Sequence, residues 1–101
     1  MKMIYMSHPF TGDEERNTKD ARYMENLLLK LYPGSCVVNP LDLFSGMTAE
    51  DEKGYVKILA CCLEVLGRCD MIFMCTGWKS SAGCKAELAL ALQKGIEVAY
   101  D

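Results

Sequence analysis

Glu87 is the side chain in this sequence best placed to do chemistry. It is the only charge in Ala86-Glu87-Leu88-Ala89-Leu90-Ala91-Leu92. At helical spacing it neighbours Cys84 (i−3) and Ala91 (i+4), which share an apolar stripe with Leu88, so it lies at the edge of a buried face. Helical side chains lean toward the amino end of their helix. Glu87 therefore leans toward Gly83, which has no side chain to cover it. A carboxylate with open space beside it is what a nucleophile or general base needs. The competing reading is a surface glutamate paired with a lysine such as Lys94.

Other residues of chemical interest fall in three segments. Ser80 and Ser81 open the helix that carries Glu87. Free backbone N–H groups and the helix dipole favour an anion there, and a hydroxyl with Gly83 would suit a phosphate; helix capping by serine explains the same pattern. His8 can hydrogen-bond a ligand or move a proton near neutral pH, or serve only as a loop hydrogen-bonder. Arg16 can reach an anion from the first turn of its helix, or sit in solvent. Trp78 can stack on a base or simply pack. Asp42 is a second carboxylate. Glycosidic chemistry often uses two, one attacking and one serving the leaving group, although loop aspartates are commonly caps or turns.

The elements that must position these residues follow from periodicity. Residues 2–6 predict a strand running into a polar Pro/Gly loop. Asp13 caps a helix over 14–31, with Ala21, Met24, Leu28 and Leu31 as its stripe, ended by Pro33-Gly34. Cys36-Val37-Val38 predicts a short strand stopped by Asn39-Pro40. Thr48 with Asp51 resembles a capping box, followed by a helical stripe of Tyr55, Ile58, Leu59, Cys62 and Leu66. Residues 71–75 are a continuous apolar run, as a buried central strand requires. A loop over 76–81, a helix over 82–94 ended by Gly95, and a strand over 96–100 complete the chain. The order β-α-β-α-β-α-β implies an α/β fold: a three-layer, flavodoxin-like doubly wound parallel sheet of about four strands, with the first and third adjacent in the middle. Ligands in such sheets bind beyond the carboxyl ends of the strands. That brings together Ser7–Gly12, Asn39–Phe44 and Thr76–Gly83.

Composition excludes several functions. The 101 residues are half hydrophobic, with a formal charge of −3 and acids and bases interspersed. One domain over 1–101 is expected. No basic stripe suits a nucleic-acid polymer, and no run of about 18 apolar residues suits a membrane span. The start, Met1 to Met6, is too short for the apolar core of a signal peptide, which favours a cytoplasmic protein. Six cysteines without C-x-x-C spacing, beside a single histidine, argue against a zinc site and for buried free thiols in a reducing compartment.

Taken together, these segments resemble a known superfamily. Ile4-Tyr5-Met6-Ser7-His8-Pro9-Phe10, with Asp13 and Arg16 after it, resembles the opening of nucleoside 2-deoxyribosyltransferases. Asn39-Pro40-Leu41-Asp42 is similar to their second-strand exit. Ser81-Ala82-Gly83-Cys84-Lys85-Ala86-Glu87 is similar to the segment carrying their nucleophilic glutamate, and to that of 2′-deoxynucleoside 5′-phosphate N-hydrolases. The pattern Pro9-Phe10-Thr11-Gly12, Asn39-Pro40, Cys69-Asp70, Gly77-Trp78 and Ser81-x-Gly83-x-x-x-Glu87 also resembles a group of short phage- and bacteria-associated domains. The resemblance covers essentially the whole chain.

The resemblance implies a glycosidic mechanism. Glu87 would attack the anomeric carbon of a 2-deoxyribosyl group and expel the base. Water or another base would resolve the ester, with retention. Ser81 would hold a 5′-phosphate, while Ser7, His8 and Phe10 would line the sugar and base. Pro9 and Asn39 join them from the shared pattern. No metal or organic cofactor is implied. A nucleoside or nucleotide is the implied small-molecule partner, and a homodimer the implied assembly. The transferases carry an aspartate late in the helix before the third strand, where this sequence has Cys62. Asp42 or His8 is left to take that role. A non-catalytic nucleotide-binding module of the same fold is the alternative.

Overall fold

The computed structural model describes all 101 residues. Its elements are β1 (Met3–Ser7), α1 (Glu14–Leu31), β2 (Cys36–Val38), α2 (Pro40–Leu43), α3 (Glu52–Leu66), β3 (Met71–Met74), a single 3-10 turn (Trp78–Ser80), α4 (Ala82–Lys94) and β4 (Glu97–Tyr100). The four strands form one parallel sheet in the order β2-β1-β3-β4. Tyr5 stands opposite Ile72, and Ser7 opposite Met74.

Alternation along the strands divides the core in two. Ile4 and Met6 of β1, with Met71, Phe73 and Cys75, pack against Ala21 and Leu28 of α1. Tyr5 of β1, with Ile72 and Met74, packs against Cys62 and Leu66 of α3 and Cys84 and Ala91 of α4. The result is the expected three-layer, flavodoxin-like doubly wound fold: α1 on one face, α3 and α4 on the other, β1 and β3 in the middle. No helix is long and apolar enough to cross a membrane.

Two local expectations are corrected. Asn39-Pro40 does more than stop β2. Asn39 Oδ1 accepts from the Leu41 N–H at 3.2 Å and caps the short helix α2, with Pro40 at a first position where its missing N–H costs nothing. Asp51, rather than Thr48, caps α3, its Oδ1 accepting from the Gly54 N–H at 2.8 Å. The charge of a carboxylate suits the positive end of a helix better than a hydroxyl does.

Candidate active site

Glu87 lies on the buried side of α4 and is only 6% exposed. Its carboxylate reaches the end of β1 on the α3/α4 face of the sheet. The Tyr5 hydroxyl donates to Oε2. The Ser7 hydroxyl donates to Oε1 at 2.8 Å. Burial raises the pKa of Glu87 above its ordinary value, and these two hydrogen bonds oppose that rise without cancelling it. The phenol of Tyr5 also sits beside the Cys62 thiol, and desolvation raises its pKa strongly. Cys62 itself is pushed up to about 11, again by burial first. Lys94 is not the partner of Glu87: its Nζ is directed at Gly67, beyond the carboxyl end of α3.

The amino end of α4 forms the wall next to Glu87. Ser81 is the N-cap, its Oγ accepting from the Cys84 N–H at 3.2 Å, so the capping role is realised. A hydroxyl that accepts this bond still has a proton to donate. Gly83 stands between two hydroxyls there. The Tyr55 hydroxyl and Ser81 Oγ stand 3.5 and 3.9 Å from where a Cβ on Gly83 would be. Tyr55 was legible in the sequence only as part of a helical stripe. Its side chain is partly exposed with its hydroxyl beside Gly83, which no local pattern announces. Tyr5 was also missed, because a tyrosine in a strand reads simply as a good strand former.

The remaining candidates separate into groups. Ser7 was expected to line the sugar, but it is fully buried and its hydroxyl is committed to Glu87. His8 and Arg16 line a cleft of about 430 Å³ on the α1 side of the strand ends, together with Tyr23, Cys75, Thr76 and Asp101. That cleft lies across the sheet from Glu87. The His8 Nδ1 is 2.7 Å from the Pro9 carbonyl oxygen. A carbonyl only accepts, so Nδ1 carries the proton and Nε2 is the acceptor of the neutral ring. Pro9 is half-buried, and its Cγ lies 3.3 Å from where a Cβ on Gly77 would stand. The loops after β1 and β3 thus meet, as expected. Phe10 is largely exposed, and its carbonyl accepts from Asn17. Trp78 packs on Tyr100 with ring centroids 5.9 Å apart, while Ser80 is exposed in the 3-10 turn.

The second-strand exit is turned elsewhere. The buried Asn39 donates through Nδ2 to Glu25 Oε1 at 3.1 Å, besides capping α2. Asp42 Oδ1 lies 3.6 Å from Arg22 Nη2 on α1, on the face opposite Glu87. The structure therefore does not join Asp42 to Glu87 as a two-carboxylate pair. Both polar side chains tie α2 to α1, which leaves two strand exits, not three, around the site.

No curated protein matches the sequence. Among solved structures, the 2-deoxyribosyltransferase of Bacillus psychrosaccharolyticus aligns with 97% of this chain over 70% of its own, with a TM-score of 0.69 and 21% identity. The fold is accordingly that of a nucleoside 2-deoxyribosyltransferase. A family model described as a domain of unknown function, DUF4406, matches residues 2–100, so the chain belongs to the DUF4406 family.

Proposed function

We propose that this protein, acting as one domain, cleaves or transfers the N-glycosidic bond of 2′-deoxynucleosides or their 5′-monophosphates, with Glu87 as nucleophile. The observation that carries the reading is the Glu87 carboxylate, buried at the end of a central strand with a hydroxyl donor on each oxygen, in a chain with a deoxyribosyltransferase fold. A Glu87 oxygen attacks C1′ as the bond from C1′ to the base nitrogen breaks. The electron pair leaves with the base, which takes up a proton. The Tyr5 hydroxyl remains on the carbonyl oxygen of the resulting ester. Water or a second base then attacks C1′ from the opposite side and releases the carboxylate, so two inversions give net retention. The leaving base takes its proton from solvent, because His8 lines the cleft on the other side of the sheet. A 5′-phosphate would lie at the amino end of α4, where Ser81 and unpaired N–H groups favour an anion.

Incubation with deoxynucleosides and their monophosphates, with chromatography for free base, tests this reading. Base appears with the native protein, and Glu87→Gln lowers its release at least about a thousand-fold. Cys62, in place of the transferases' aspartate, favours a second reading, a nucleotide-binding module without catalysis. Nucleotide binding without base release would establish it. We further propose a cytoplasmic homodimer. Six free thiols support a reducing compartment, and the symmetric pair is the commonest closed assembly, which a solution mass measurement tests.

A further inference from the structure

The environment of Glu87 holds no cation. The titratable groups facing its carboxylate are Tyr5 from β1, Cys62 from α3 and Cys84 from its own helix, while Cys75, after β3, turns to the α1 side of the sheet. Every ion pair in the chain lies on the surface, and none includes Glu87. A carboxylate removed from water without a cation stays charged only if hydrogen-bond donors replace the water. Thiols are weak donors. Burial holds Cys62 at about 11 and Cys75 at about 12, so neither contributes charge near neutrality. The donors that remain are two hydroxyls, Tyr5 on Oε2 and Ser7 on Oε1.

We propose that Ser7 is a positioning residue for Glu87, its hydroxyl fixing Oε1 so that the buried carboxylate keeps one orientation. This rests on the reading of Glu87 as nucleophile. Three observations support it. Ser7 is fully buried, so it acts on a ligand only through another group. Its backbone is fixed, because it pairs with Met74 and its carbonyl accepts from the Cys75 N–H at 2.9 Å. Its single hydroxyl proton is already given to Oε1. Two residues along a strand span about 7 Å. Tyr5 therefore grips the carboxylate from within the core, and Ser7 grips it from the loop end of β1. Without Ser7, Oε1 is free to turn and its charge loses half of its neutral donors.

The test pairs carboxyl-carbon NMR titration of protein labelled at the glutamate side chains with the base-release assay. The Glu87 signal is identified by its absence from Glu87→Gln. In Ser7→Ala, the Glu87 carboxyl titrates about one pH unit higher than in the native protein. The acid limb of base release moves with it, and kcat on that limb falls about tenfold with KM unchanged. Ser7→Thr, which keeps the hydroxyl, restores both. Should Ser7→Ala not fold, Ser7→Cys keeps the volume with only a weak donor and carries the same expectations. An unchanged Glu87 titration overturns the proposal, as does a raised KM with an unchanged acid limb, which would mean that Ser7 touches substrate. If the native protein releases no base, the glycosidic reading fails, while the NMR titration still decides whether Ser7 governs Glu87.

Discussion

A carboxylate at the end of a central strand is costly to keep charged, and that cost has a sign. Burial raises the pKa of Glu87 in the folded chain above its unfolded value. The folded state therefore holds this proton more tightly, and the group's contribution to stability is present at low pH and lost as pH rises through the folded pKa. Glu87→Gln removes the charge, so its melting temperature should exceed the native one at pH 8, by a margin that closes as pH falls toward 4. Thermal unfolding across that range measures it; equal margins at both ends would contradict it. Base release should run the other way, falling with acid on a limb above the ordinary carboxylate range, which a kcat/KM profile shows. Glu87 was legible in the sequence because it is a lone charge among alanines and leucines. Tyr5 and Ser7 were not legible as its partners. They lie 82 and 80 residues away along the chain, and only the packing of α4 across the sheet joins them.

Helices and strands were easier to read than their junctions. The spans of α1, β2 and α4 follow from periodicity, caps and the Pro and Gly stops, because those signals are local. The segment after β2 misled because Pro40 both ends a strand and begins a helix, and the start of α3 moved because Asp51 outcompetes Thr48 for the cap. At the start of α4 the capping and ligand readings of Ser81 can be separated. Ser81→Ala should cost about 1 kcal/mol of stability in a denaturant titration. Ser81→Asp should restore the cap, since aspartate caps as well as serine does. Its negative charge should also weaken binding of deoxynucleoside monophosphates relative to nucleosides, measured calorimetrically. If the aspartate variant binds both as the native protein does, no phosphate sits there.

For the whole molecule, a four-stranded sheet covered on both faces puts most thiols out of reach. Cys62, Cys69, Cys75 and Cys84 are buried, whereas Cys36 is exposed. Burial raises Cys69 to about 11 and Cys75 to about 12, so little thiolate is present near neutrality. Iodoacetamide at pH 7.5 should label Cys36 first and leave these four largely unmodified until denaturant is added, as peptide mass spectrometry can follow. The layered order of the fold was legible because strands and helices alternate without interruption. The separation of the strand-end region into the α1-side cleft and the enclosed Glu87 was not, since it depends on which face each side chain takes. The chain's one tryptophan, Trp78, lies in the turn after β3, its indole against Tyr100 and under the Lys79 ammonium. Its fluorescence thus reports on a single place, and a shift in emission on titrating a nucleotide would reveal an occupant beside the turn after β3 without any label.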